Sequence, residues 1–261
     1  MGGTAPLYAR RPAQHRFIVR RYTDPETEFV PLPPAAGPSS ASEIPRRLTT
    51  KGERTRTIIL DAAERQFAEH GYDGVALRQI IEEAMVQMGQ LQYYFRTKEE
   101  LFVAVLDRRL ADVQKEYAEA IRKLDLIDGG GNISTVIRAQ MAPGRAWLTS
   151  DDVGRHRYLR ILGLSTLSFD QPDYIARHAR VFSPLNEIIA NWLRRLYPAA
   201  STECITSAYY LIESNFVGLY VNINSILARR GQMRTTESVE KLFDDLAVFL
   251  AGGAHALLRE A

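Results

Sequence analysis

The chain has 261 residues, 46% of them hydrophobic, a formal net charge of +2 and a single cysteine, Cys204. That length supports one to two domains with a sizeable core, and no apolar run of about 18 residues exists to cross a bilayer. The lone cysteine excludes an internal disulfide and, with arginines and prolines interrupting the N-terminus where a signal peptide would be apolar, points to a cytoplasmic setting. The net charge is too small to argue for nucleic acid, so the local distribution of charge must carry any such claim.

Residues 1–48 contain PLPPAAGPSS and little apolar periodicity, which predicts a disordered N-terminal tail. Its Arg10, Arg11, Arg16, Arg20 and Arg21 read as solvated, with phosphate contact as the alternative. From Thr50 the character changes. Thr50 and Glu53 have the spacing of a capping box, and Ile58, Ile59, Ala62, Ala63 and Phe67 form a helical stripe that Gly71 ends, predicting a first helix over 53–70. After the turn GYDG, Leu77, Ile80, Ile81 and Ala84 predict a short second helix over 77–84.

The connection MVQM then leads into the most informative stretch, MVQMGQLQYYFRTK at 85–98. Val86, Leu91 and Phe95 are spaced to turn inward, leaving Met88, Gly89, Gln90, Gln92, Tyr93 and Tyr94 for the flanks and outer face. The stretch has no acidic residue. Glutamine offers a donor and an acceptor suited to base edges, and tyrosine reaches phosphates. Thr97 and Glu100 repeat the capping-box spacing and start a fourth helix, with Leu101, Phe102, Val105 and Leu106 inward. Two short helices joined by a tight turn, with a longer helix packed across them, make a helix-turn-helix.

The segment from Arg54 to Leu106 resembles the DNA-binding domain of TetR-family transcriptional regulators, matching in order TIILDAAERQFAEHGYDGVALRQIIEEA, MVQMGQLQYYF and RTKEELF. The resemblance covers about 50 residues, a fifth of the chain. It implies that Met88, Gly89, Gln90 and Tyr93 meet base edges or the groove wall, while Tyr94 and Lys98 meet phosphates. Gln90 is then the residue expected to read adenine directly. Arg46, Arg47, Lys51, Arg54 and Arg56 form a basic lead-in, from which Arg54 is assigned a DNA contact. Three positions depart from the family pattern: Met85 stands where glycine usually turns the chain, Gln87 where Ser, Thr or Asn usually caps the recognition helix, and Ala76 where Ser or Thr usually caps the second helix. Arg78 and Gln79 read either as near phosphate or as ordinary surface.

Beyond helix four, expected to end near Leu124, the helical patterns run over Ile133–Leu148, Val153–Phe169, Tyr174–Tyr197, Thr202–Arg229 and Glu237–Leu258, with no alternation long enough for a sheet. The expected fold is all-α. An N-terminal three-helix helix-turn-helix domain at 49–97 is joined by helix four to a helical domain for effector binding and dimerisation at 98–261. In that reading the last two helices pair with their copies in a homodimer, and Ile205, Ala208, Tyr209, Ile212, Phe216, Leu219, Tyr220 and Ile223, then Val239, Leu242, Phe243, Leu246 and Leu250, supply the stripes. The same stripes also read as internal core. Trp147, Tyr158, Phe169, Phe182, Trp192, Tyr210 and Asn215 are the candidate pocket residues, each of which also reads as plain core packing. Arg155, His156, Arg157 and Arg160 read as a solvated basic face, with an acidic ligand as the alternative. His156 and His178 lack partners at metal-ligand spacing, so no metal and no cofactor are assigned.

The function implied is a regulator, not an enzyme: a repressor released from a palindromic double-stranded DNA operator by a small apolar or amphipathic effector. An effector-independent architectural DNA-binding protein and an interaction adaptor that has lost DNA binding stay open as alternatives. No nucleophile with a neighbouring base, no paired carboxylates and no phosphate loop support an enzyme.

Overall fold

A computed structural model describes residues 50–127, 131–166 and 187–259. The predicted tail at 1–48, the candidates Phe169 and Phe182, and His178 lie outside the described residues. Among the described residues all regular structure is helical. The helices are α1 (Thr50–His70), α2 (Leu77–Ala84), α3 (Met88–Tyr94), α4 (Lys98–Asp125), α5 (Ile133–Leu148), α6 (Val153–Thr166), α7 (187–196), α8 (Thr202–Arg229) and α9 (Thr236–Arg259).

Cap chemistry sets most of these boundaries. Thr97 Oγ1 accepts the Glu100 N–H at 3.0 Å, and the Glu100 carboxylate accepts the Arg96 N–H at 2.8 Å, so α4 starts where its capping pair predicts. Asn132 accepts the Thr135 N–H at 3.1 Å to open α5, and Ser201 accepts the Cys204 N–H at 3.2 Å to open α8. The first helix departs from expectation. Thr50 already lies inside α1, so the helix extends three residues upstream of the predicted start at 53 and Thr50 is not its cap.

The turn between α2 and α3 keeps the backbone that glycine would favour, with a methionine in it. Met85 has φ 52° and ψ 43°, the one non-glycine residue with positive φ among the described residues, and its side chain is 92% exposed. Its N–H bonds to the Glu82 carbonyl at 3.3 Å and the Val86 N–H to the Ile81 carbonyl at 3.1 Å, closing the end of α2 in the usual left-handed manner.

Seven residues are too few for α3 to be helical alone, so tertiary packing must hold it. Leu91 and Phe95 are 0% and 1% exposed, packed in one core with Ile59 and Phe67 of α1, Ile80 of α2, and Leu101 and Phe102 of α4. Burying each such side chain contributes roughly 1.5–3 kcal/mol, enough to fix a two-turn helix. Phe67 and Phe102 meet edge to face at 4.9 Å. Ile58, placed on the inward stripe by sequence, is instead 40% exposed because the buried arc of α1 is centred on 59, 63 and 67.

In the rest of the chain α5 packs between α4 and α9, while α6 packs between α1 and α8. The long stripes on α8 and α9 are internal: Ile205, Ile212, Phe216, Tyr220, Val239 and Phe243 are each at most 4% exposed within the single chain. The exposed apolar residues of these helices are others, namely Tyr210, Leu211, Val248 and Phe249, at 57–71% exposure. The basic residues of α6 also depart from expectation. Arg155, His156, Arg157 and Arg160 are half-buried, not a solvated face, because α6 is wedged between helices.

A left-handed conformation costs a side-chain-bearing residue about 1–2 kcal/mol, and glycine returns part of this as about 0.5–1 kcal/mol of chain entropy. Met85→Gly is therefore expected to stabilise the protein by up to about 1 kcal/mol in urea unfolding. A loss of stability would show that the Met85 side chain makes a favourable contact.

Candidate nucleic-acid interface

The outer face of α3 carries no charge of its own. Gly89, Gln90, Gln92 and Tyr93 are exposed, Met88 is at the edge of exposure, and Tyr94 is half-buried with its ring 5.0 Å from that of Tyr93. A Cβ at Gly89 would meet no protein atom within 4 Å, so packing within the fold does not demand glycine there.

The expected weakness at Gln87 and Ala76 is resolved from the other side of each cap. Gln90 Oε1 accepts the Gln87 N–H at 2.9 Å, and Gln79 Oε1 accepts the Ala76 N–H at 2.6 Å. Each is half of a capping box, in which the glutamine three residues in reaches back to the capping residue's backbone. The substitutions at 76, 85 and 87 thus leave the turn and both helix starts intact, which removes the motive for reading an adaptor that lost its DNA-binding geometry. Gln90 gains a structural role that the sequence reading did not assign, while its amide N–H₂ and second oxygen lone pair remain to meet a base edge.

Positive groups surround this face. Lys98 begins α4, its ammonium 4.4 Å from the centre of the Tyr72 ring, and partial burial pulls its pKa down against the pull of nearby Asp73. Arg54 is exposed in the first turn of α1, and Arg56 lies 5.3 Å over the Phe95 ring. Arg78 is engaged with Glu82 at 3.1 Å on the exposed side of α2. The platform is braced from behind: Glu83 of α2 bonds to Arg65 and to Gln66 of α1, the latter at 2.6 Å. Burial pushes the Glu83 carboxyl up, but the Arg65 and Gln66 bonds outweigh it, and its pKa falls below the usual carboxylate value.

Two sets of contacts tie this platform to the remaining helices. Arg160 of α6 donates to the Ala68 carbonyl in the last turn of α1 at 2.6 Å and to the Val221 carbonyl of α8 at 2.7 Å. Glu64 of α1, 5% exposed, faces Arg108 and Arg109 of α4 at 3.4 and 3.9 Å, and Arg109 continues to Asp152 at 3.0 Å. Asp152 in turn caps α6 by accepting the Gly154 N–H at 2.8 Å. Burial pushes the Glu64 pKa up, with the two arginines opposing; at Asp152 burial also pushes up but Arg109 wins and the pKa falls. Nothing in the spacing of the α6 basic residues singled out Arg160. Its flanking Leu159 and Ile161, both buried, are the signal that it enters the interior.

The candidate pocket residues do not form one group. Trp147 and Tyr158 are fully buried and adjacent, ring centres 5.4 Å apart, and Trp192 is 7% exposed on α7. Tyr210 and Asn215 lie on the exposed side of α8, where Asn215 lines an apolar groove of about 290 Å³ with Leu211, Phe249, Gly253 and Leu257.

Residues 59–105 match the family model of bacterial regulatory proteins of the tetR family. The chain is 26% identical over 179 residues to the HTH-type transcriptional repressor AcnR of Corynebacterium glutamicum, covering 62% of this chain and 93% of that protein. It is 28% identical over 171 residues to the HTH-type transcriptional repressor NicS of Pseudomonas putida, covering 63% and 74%. Among solved structures it is similar to the transcriptional regulator FadR of Bacillus subtilis, crystallised with stearoyl-CoA, with a TM-score of 0.53 at 15% identity over 76% of this chain and 98% of that one. This last likeness establishes the fold.

The two roles of Gln90 are separable. Gln90→Ala removes the cap acceptor and is expected to cost about 0.5–2 kcal/mol of stability without DNA present. Gln90→Glu keeps an acceptor for the Gln87 N–H and is expected to hold stability within about 0.5 kcal/mol while adding a charge that repels DNA. Urea unfolding beside DNA titration checks this; equal stability of both variants would remove the capping role.

Proposed function

This chain is a TetR-family transcriptional regulator, and we propose that it acts as a homodimeric repressor whose α3 helices read a palindromic operator until a small effector bound in the helical body releases it. The observation that carries this reading is the outer face of α3, an acid-free surface of Met88, Gly89, Gln90 and Tyr93 fixed on the buried Leu91 and Phe95, with Tyr94 half-buried beside Tyr93 and with Lys98 and Arg54 on the flanking helices α4 and α1. Gln90 supplies the donor and acceptor that pair with adenine, a contact worth roughly 1–3 kcal/mol against another base. Lys98 and Tyr94 fix register on phosphates, where the amides at the start of α4 add to the attraction.

The division of labour proposed is a DNA-binding domain at 49–97 and an effector and dimerisation domain at 98–261, in a cytoplasmic protein. No helix among the described residues is long and apolar enough to cross a membrane. Dimerisation through α8 and α9 uses their outer faces: Tyr210, Leu211, Val248 and Phe249 form an apolar surface of the kind that marks a protein interface. A two-fold dimer brings two α3 helices to successive major grooves roughly 34–36 Å apart. The effector acts by differential affinity for the dimer whose α3 spacing does not match the operator.

The test is binding of the purified protein to DNA from upstream of its own gene. Sequence-selective binding at physiological salt is expected; binding indifferent to sequence would contradict the proposal. Lys98→Ala should weaken binding to all sequences alike and lower the slope of log affinity against log salt by about 1, whereas Gln90→Ala should relax selectivity at one base pair in each half-site. Phe249→Asp, which leaves the core untouched, should produce monomers in sedimentation velocity and abolish tight operator binding; a dimer surviving this change would place the interface elsewhere.

A further inference from the structure

Inside the helical body, α5 and α8 face each other through polar side chains that ordinary core packing would exclude. Tyr209, Glu213 and Tyr220 stand at i, i+4 and i+11 on one face of α8, and Gln140, Gly144 and Trp147 at i, i+4 and i+7 on one face of α5. The faces meet at Gly144, where an added Cβ would stand 2.1 Å from the Tyr220 hydroxyl oxygen. Tyr158 of α6 packs on Trp147 with ring centres 5.4 Å apart. Tyr209, Tyr220 and Gln140 are each 4% exposed and Trp147 is 0% exposed.

Gln140 Oε1, Trp147 Nε1 and the hydroxyls of Tyr209 and Tyr220 are buried without a hydrogen-bond partner among the described residues. Buried polar atoms left unpaired are costly, and a native chain keeps them where something else pairs them. Glu213 is the group with the wrong charge for its place. It is half-buried, one turn along α8 from Tyr209, and it makes no ion pair among the described residues. Burial pushes its pKa up.

Among the described residues, Arg155 and Arg109 at the Trp147 end of the cluster are already matched. Arg155 lies 5.1 Å over the Trp147 ring and pairs with Glu116 at 3.5 Å and Asp152 at 3.7 Å; Arg109 pairs with Asp152 and Glu64. Among the described residues the Glu213 end therefore presents phenol faces, one amide oxygen and a carboxyl with no cationic partner. Aromatic faces with a carboxyl attract an ammonium and repel an anion, more strongly where water is excluded.

We propose that this cluster binds an organic ammonium with an aromatic or alkyl body. The charge sits between the Glu213 carboxylate and the Tyr209 and Tyr220 rings, and an ammonium N–H is accepted by Gln140 Oε1. The body lies toward Trp147. This rests on the reading of the helical body as the effector domain and names the chemical class that its interior selects.

Benzylamine, benzyl alcohol and benzoate share a phenyl ring and carry a cationic, a neutral and an anionic group, and Trp147 reports on them once Trp192→Phe removes the other of the chain's two tryptophans. Emission titrations of the full-length protein should show benzylamine binding at least tenfold more tightly than the other two. Glu213→Gln should cut benzylamine affinity at least tenfold and leave benzyl alcohol unchanged. Gln140→Met keeps the volume but removes the acceptor, and should weaken benzylamine several-fold, a second reading if Glu213→Gln fails to fold. Benzoate binding as tightly as benzylamine, no response to benzylamine at millimolar concentration, or variants that leave its affinity unchanged would each overturn the proposal. Binding of operator DNA by ligand-free protein is measured in parallel: retained DNA binding with no benzylamine response refutes the ammonium site alone, whereas lost DNA binding refutes the repressor reading itself.

Discussion

The structure turns on one guanidinium. Arg160, on a helix wedged between α1 and α8, donates to a carbonyl of each, Ala68 at 2.6 Å and Val221 at 2.7 Å. A charged group half-buried in this way is tolerated because its donors are matched, and hydrogen bonds from a charged donor are roughly twice as strong as neutral ones. Ala68 lies in the last turn of α1, three residues before Gly71, whose positive φ starts the turn toward α2. Whatever moves α6 or α8 at this level acts on the helix that carries the recognition platform.

The second tie runs alongside it through Glu64, Arg108, Arg109 and Asp152, so α1 is held to α4 and to the start of α6 as well. The α3 platform has no comparable freedom within itself, since Leu91 and Phe95 are buried and Glu83 is bonded to two residues of α1. A displacement of α1 would therefore carry α3 with it as one unit. Tyr220 of the polar cluster neighbours Val221 in sequence, and its hydroxyl rests on Gly144. On the proposed reading, a ligand that displaces Tyr220 would act one residue from the carbonyl that Arg160 holds, so the proposed effector site and the joint at Arg160 would share α8.

Much of this was legible in the sequence where a local rule decides. Helical periodicity and caps placed α2, α5 and α8 at their observed limits, since Asn132 and Ser201 each bond as a capping residue should. The inward set Leu91 and Phe95 followed from spacing. What failed depended on which helix packs on which. The stripes on α8 and α9 fitted an interface as well as a core, and only the neighbouring α5 and α6 decide for core, leaving Tyr210, Leu211, Val248 and Phe249 outside. The basic run on α6 looked solvated because a period alone does not reveal that both sides of the helix are covered. Gln90 was readable in the sequence as a candidate for DNA contact but not as a cap, because a glutamine reaching backward to Gln87 is visible only in three dimensions.

The central claim, that Arg160 fixes the recognition domains to the body, is tested most directly by the distance between the two α3 helices of the dimer. Spin labels on Gln92→Cys in a Cys204→Ser background report it by pulsed electron paramagnetic resonance. A narrow distance distribution is expected, and Arg160→Ala should broaden it markedly while helix content is kept. A distribution unchanged by Arg160→Ala would contradict the claim and assign the joint to the Glu64 and Arg109 network alone.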